Sequence, residues 1–127
     1  MTGLHPIAAD ALRSFRSAAG ARGLTFRVTS SFRSVARQRT LYNLWLRGDP
    51  RVIAPALPGR STHNYGLSFD VVSTDQPALV ALGRAIGLET IEGDPVHFQV
   101  ISRADWARLV ELPPARIRAF LASVRGG

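Results

Sequence analysis

With 127 residues, 46% of them hydrophobic and 20% charged, the chain has the size and balance of one globular domain, residues 1–127, and is too apolar for a disordered tail. It contains no cysteine, which excludes a disulfide scaffold, a thiol nucleophile and thiolate metal sites, so that any metal must rest on histidine and carboxylate. All sixteen basic residues are arginine, with ten arginines against two acids in residues 1–60 and six against seven in residues 61–127, an asymmetry that suits a polyanion such as nucleic acid, an anionic membrane surface or an anionic cell-wall polymer.

The first stretch carries Ile7, Ala8, Ala11, Leu12, Phe15, Ala18 and Ala19 at helical spacing, with Pro6 suited to a first turn and Gly20 and Gly23 ending it. Leu24, Phe26 and Val28 then alternate with Thr25, Arg27 and Thr29, which predicts a strand with one buried face. Ser34 is a fair N-cap for a second helix to about Arg47, with Val35, Leu41, Tyr42 and Trp45 as its apolar set, stopped by Gly48-Asp49-Pro50. A proline-rich loop follows.

Two further alternations predict strands at 67–72 and 96–101, separated by a helix over 76–87, and two short helices fill 103–110 and 114–124. The order predicts an α+β domain with a short sheet and flanking helices; without hairpin signals, parallel and antiparallel pairing both stay open. No segment approaches the roughly 18 to 20 apolar residues of a membrane-crossing helix. Asp10, Arg13 and Arg16 interrupt any secretory signal, so the expectation is synthesis in the cytoplasm, with any action at a cell wall or periplasm reached by another route.

The chemistry is concentrated in four residues. Asp70 lies on the polar face of its strand, and His63, an odd seven positions earlier, must come from the preceding turn, where Asn64 and Gly66 tolerate the bend. Asp94 and His97 are three apart and would face opposite ways on one strand, so Gly93-Asp94-Pro95 is expected to place Asp94 in a turn. Asp70 and His97 then face one point, with His63 and Asp94 leaning over it. His63, Asp70 and His97 form a candidate zinc site with one position open for water, and Asp94 is the spare acid able to move that water's proton.

Ser61-Thr62-His63-Asn64-Tyr65-Gly66-Leu67-Ser68-Phe69-Asp70 resembles the S-x-H-x-x-G-x-A-x-D signature of the zinc D,D-peptidase and L-alanyl-D-glutamate peptidase superfamily, the M15 peptidases, related in fold to the hedgehog signalling domain. Asp94-Pro95-Val96-His97-Phe98-Gln99 resembles its second signature, an acid three residues before the third zinc ligand, and Thr29-Ser30-Ser31-Phe32-Arg33-Ser34 with Gln38 its T-S-G-Y-R-S segment and later glutamine. Leu4-His5-Pro6 and the first helix extend the likeness toward the N-terminus.

The resemblance implies His63, Asp70 and His97 as zinc ligands, Asp94 as general base and acid, and Arg33 as the cation that stabilises the oxyanion or anchors substrate. It implies supporting or substrate-contacting roles for Gln38 and Ser61, and peptidoglycan stem peptides as substrate. An aspartate at the base position resembles the L-alanyl-D-glutamate endopeptidases of the endolysin type, whereas the D-alanyl-D-alanine enzymes usually carry glutamate there. Ser68 for alanine, Ser31 for glycine and the shifted Pro95-Val96 depart from the pattern without removing a ligand.

Elsewhere, Trp45 and Trp106 read as core or half-buried anchors, and His5 as a structural or capping residue. Arg13, Arg16, Arg37 and Arg39 read as solvated helix faces, with retention on anionic wall polymers as their functional alternative. The rival enzyme reading is a D-alanyl-D-alanine carboxypeptidase or dipeptidase. The rivals of another class are a basic nucleic-acid-binding module, which lacks any recognised motif, and a zinc-bearing binding domain without turnover.

Overall fold

Pro6 begins helix α1 (Pro6–Ala21), and His5 caps it by accepting the Ile7 N–H on Nδ1, so His5 is a capping residue as expected. The computed structural model describes residues 3–124. Strand β1 (Arg27–Ser30) and helix α2 (Val35–Leu46), capped by Ser34, come next. After the proline-rich loop a 3₁₀ turn, Thr62–Tyr65, feeds strand β2 (Ser68–Val72). Helix α3 (Gln76–Ala85), strands β3 (Glu89–Ile91) and β4 (Asp94–Gln99), and helices α4 (Arg103–Leu109) and α5 (Pro114–Ser123) complete the chain.

The four strands form one sheet in the order β1-β2-β4-β3, and every neighbouring pair is antiparallel, which closes the choice that the long connections leave open. The fold is α+β. Three local expectations are corrected. Leu24 precedes β1 because its N–H is bonded to Ala19 O at 2.8 Å, completing the end of α1 instead of entering the ladder. A hairpin is present after all: β3 is too short to show alternation, and Gly93, at φ 83°, turns the chain after Glu92. Asp94 is the first residue of β4 and not part of a turn.

One face of the sheet supplies the main core. Phe69 and Val71 of β2 and Phe98 of β4 meet Leu12, Phe15 and Ala19 of α1 and Leu79 and Leu82 of α3. Phe15 sits at the centre, with ring centroids 5.0 Å from Phe26 and 4.9 Å from Phe98. Each such ring, fully removed from water, contributes about 1.5 to 3 kcal/mol. Tyr65, Leu67, Leu109, Ile117 and Leu121 form a smaller cluster that seats α4 and α5 against the turn before β2.

Helix α2 behaves differently: Gln38 is its one buried residue, and Trp45 is exposed at 39%, which corrects its expected place as an anchor. Trp106 does pack, 5.7 Å from Tyr65. Among the described residues no helix is long and apolar enough to cross a membrane.

Candidate active site

The 3₁₀ turn that carries His63 is fastened at both ends. Ser61 caps it, with Oγ accepting the His63 N–H, and Asn64 Oδ1 accepts from the N–H groups of Gly59 and Ser61. Gly66 ends it at φ 69°, and an added Cβ there would lie 2.7 Å from His5 N, so both the dihedral and the close approach require glycine. The segment before α2 is joined to this turn: Arg33 N donates to His63 O, and Asn64 Nδ2 donates to Arg33 O. Two stretches thirty residues apart in sequence therefore move as one piece.

Asp70 and His97 are direct cross-strand partners in the β2–β4 pair, so both project from the face opposite Phe69 and Phe98. His63 Nε2 lies 3.1 Å and His97 Nδ1 3.4 Å from Asp70 Oδ1. One donor atom from each of the three side chains lies within 4.8 Å of the other two. The far nitrogens are also held: His63 Nδ1 meets Ser31 O at 2.7 Å, and His97 Nε2 meets Gln99 Oε1 at 2.8 Å. Gln99 is itself fixed through Nε2 to Ile101 O. With Nδ1–H of His63 and Nε2–H of His97 donated to these oxygens, the inward nitrogens are the ones that can give up a proton and offer lone pairs to a metal. Two buried imidazoles and one part-buried carboxylate, with outer partners that set the tautomers, form a donor set that fits zinc.

Burial disfavours charge on Asp70, yet the hydrogen bonds and charges of His63 and His97 outweigh it and hold the carboxyl well below the usual carboxylate range. Burial likewise opposes a charged His97, but hydrogen bonds with Asp70 and Gln99, then the charges of Asp70 and Asp94, raise it above its ordinary value. Burial lowers the Arg33 guanidinium, against the opposing pull of Asp70 and Asp94. Asp94 thus acts electrostatically on both His97 and Arg33.

Asp94 reaches the site by a route that simple alternation does not give. The β3–β4 register passes from Thr90↔Phe98 directly to Ile91↔Asp94, so β4 carries extra residues between those two pairs. A bulge of this kind re-aims the side chain before it. All seven residues singled out by sequence, Arg33, Gln38, Ser61, His63, Asp70, Asp94 and His97, line one open groove of about 680 Å³. The loop Arg51–Ala56, Leu41 and Trp106 contribute to its walls.

Gln38 is 1% exposed, and both ends of its amide are engaged: Oε1 accepts from Arg33 Nη1 at 3.0 Å, and Nε2 donates to Ala56 O at 2.7 Å. Sequence reasoning placed Ser31 and Gln99 inside the motifs but gave them no role at the site. Gln99 had a signal, since it lies two residues after His97 on the same strand face, whereas Ser31 acts through its backbone carbonyl and leaves no mark in residue type.

The VanY family model, described as D-alanyl-D-alanine carboxypeptidase, matches residues 1–103. The chain belongs to this family. Within the M15 peptidases, it is 34% identical over 67 residues to the peptidoglycan L-alanyl-D-glutamate endopeptidase CwlK of Bacillus subtilis (strain 168), a match that spans 53% of this chain and 40% of that relative's length. Its fold is similar to the LdcB LD-carboxypeptidase, at TM-score 0.60 and 23% identity, covering 99% of this chain and 80% of that one. It is also similar to the vancomycin-resistance D,D-pentapeptidase VanY solved with Zn(II), at TM-score 0.59 and 16% identity, covering 87% and 80%.

Proposed function

We propose that this chain is a zinc metallopeptidase that hydrolyses an amide bond in peptidoglycan stem peptides, with the L-alanyl-D-glutamate bond as its target. The observation that carries the peptidase reading is the convergence of His63, Asp70 and His97 in an open groove that Asp94 and Arg33 also line. The choice of bond is supported by the partial likeness to CwlK and by aspartate at position 94. The family model's own description, matched over residues 1–103, favours a second reading as a D-alanyl-D-alanine carboxypeptidase.

His63 Nε2, an Asp70 carboxylate oxygen and His97 Nδ1 would hold the metal. Zinc held there supplies Lewis acidity and a water nucleophile at neutral pH. Asp94, at the groove's rim, accepts the proton released as the scissile carbonyl is attacked and returns it to the departing amine. Arg33, part-buried and pinned by Gln38 and Ser30, donates to the oxygen that becomes negative; its donors are already in place, so no reorganisation is needed. Ser61 and Gln38 serve as cap and tether. The enzyme would act outside the cytoplasm, and its exposed arginines would hold it to anionic wall polymers.

Digestion of purified peptidoglycan followed by mass spectrometry of the fragments identifies the bond. New N-terminal D-glutamate supports the endopeptidase; loss of terminal D-alanine alone supports the carboxypeptidase; intact peptidoglycan with zinc-loaded protein rejects both.

A further inference from the structure

Arg33 belongs to two recesses. Besides the groove, it lines a cleft of about 770 Å³ between β1 and the start of α2, whose wall includes Ser30, Ser31 and Arg37. Leu41 lines both recesses as well, and Ser31 carries the carbonyl that meets His63 Nδ1. The cleft therefore borders the groove at Arg33 and Leu41.

Two arginines and no acidic residue line the cleft. Arg33 donates to two neutral oxygens, Gln38 Oε1 and Ser30 Oγ, leaving further guanidinium donors free. Arg37, exposed on the first turn of α2, makes no ion pair among the described residues. Arg33 and Arg37 line the same cleft, and Arg37 disfavours the charge on Arg33. Two guanidiniums lining one cleft without an acidic neighbour in its wall suit an anion, and the flat fork of each matches a carboxylate.

We propose that Arg37, acting beside Arg33, is a specificity-determining residue that binds a free carboxylate on the amino-acid residue released from the scissile bond. The cleft thereby selects acids over the corresponding carboxamides. The inference rests on the peptidase reading, and both bonds considered there supply the group. A terminal D-alanine has a free α-carboxylate, and a D-glutamate linked onward through its side-chain carboxyl keeps its α-carboxylate. The carboxamide has nearly the same shape and no charge, so the pair of ligands isolates charge recognition.

The test uses zinc-loaded protein and two peptides, L-alanyl-D-glutamate linked onward through the γ-carboxyl and the same peptide with an α-carboxamide. Binding is measured by calorimetry in an Asp94→Asn background, where the peptide stays intact, and hydrolysis is measured with Asp94 present. With Arg37 intact the acid should bind about 10-fold tighter than the amide, the scale of a charge-assisted hydrogen bond. Arg37→Gln should abolish that preference, Arg37→Lys should restore part of it, and Arg39→Gln, which removes the same charge elsewhere on α2, should leave it intact. A preference that survives Arg37→Gln, equal binding of the two peptides with Arg37 present, or an equal loss in Arg39→Gln overturns the proposal. An Arg37-dependent preference without hydrolysis of either peptide would overturn the assigned reaction while supporting the carboxylate site.

Discussion

Asp70 and His97 stand directly opposite one another on neighbouring antiparallel strands, with His97 Nδ1 3.4 Å from Asp70 Oδ1. The pairing of Phe69 with Phe98 in the same ladder secures this register, because both rings are fully buried on the other face. A one-residue slip of either strand would turn its phenylalanine toward the groove and its candidate metal ligand toward the core. Apolar burial on one side of the sheet thus fixes ligand geometry on the other.

Zinc should bind at one ion per chain, and His63→Ala should lose it, since two remaining ligands do not make a closed enough site. Metal content by elemental analysis, read beside circular dichroism to confirm folding, checks this. Full zinc occupancy in the folded variant would reject the ligand assignment.

Asp94→Asn preserves shape but removes the proton acceptor, so zinc and peptide should still bind while kcat falls by about 10² to 10⁴, the range for a general base. Single-turnover rates and zinc content of the variant decide the matter together. A variant that keeps its zinc and turns over within about 10-fold of wild type points to another base; one that loses zinc makes Asp94 a ligand.

Zinc affinity should weaken as pH is lowered, because His97 is held above its ordinary value and must shed its proton before it ligates. In the metal-free protein the linkage runs two ways. The contribution of Asp70, whose carboxyl is depressed, is present above the unfolded carboxylate pKa and is lost as pH falls through its folded value. That of His97 is present below the unfolded histidine pKa and is lost as pH rises through its raised value. Zinc titrations at about pH 8 and about pH 5.5 should differ in affinity, and equal affinities would contradict the protonation of His97.

Gly83→Ala should destabilise the fold by about 1 to 3 kcal/mol through overpacking. The added Cβ would lie 2.6 Å and 2.8 Å from the Phe98 ring and 3.4 Å from Phe15, and neither ring has room to swing away. A urea midpoint lowered at unchanged slope is the expected result; an unchanged midpoint would show that α3 can lift from β4 without cost.

Gln38→Leu should leave an Arg33 donor and the Ala56 carbonyl without their partner, at a cost of about 1 kcal/mol because Arg33 is part-buried and Ala56 exposed. Because Gln38 positions Arg33 without touching the metal ligands, kcat should drop with zinc content unchanged. Unaltered kcat and denaturation midpoint would remove Gln38 from any supporting role.

What the sequence determined alone was local. The spacing of Ile7, Leu12, Phe15 and Ala19 specified α1, the alternation around Asp70 and His97 specified β2 and β4, and the motif residues marked out the candidate metal-binding set and the family, because periodicity and residue type are both written in neighbouring positions. The antiparallel order β1-β2-β4-β3, the short β3 and the placement of Asp94 were decided only in three dimensions. Pairing between strands depends on which apolar faces bury together, and Asp94 reaches the groove through a register jump against β3 that no single-strand pattern contains. The grip of Gln38 on Arg33 and Ala56, and of the Ser31 carbonyl on His63, likewise belonged to the tertiary structure, since a buried amide and a backbone oxygen acquire their partners from segments distant in the chain.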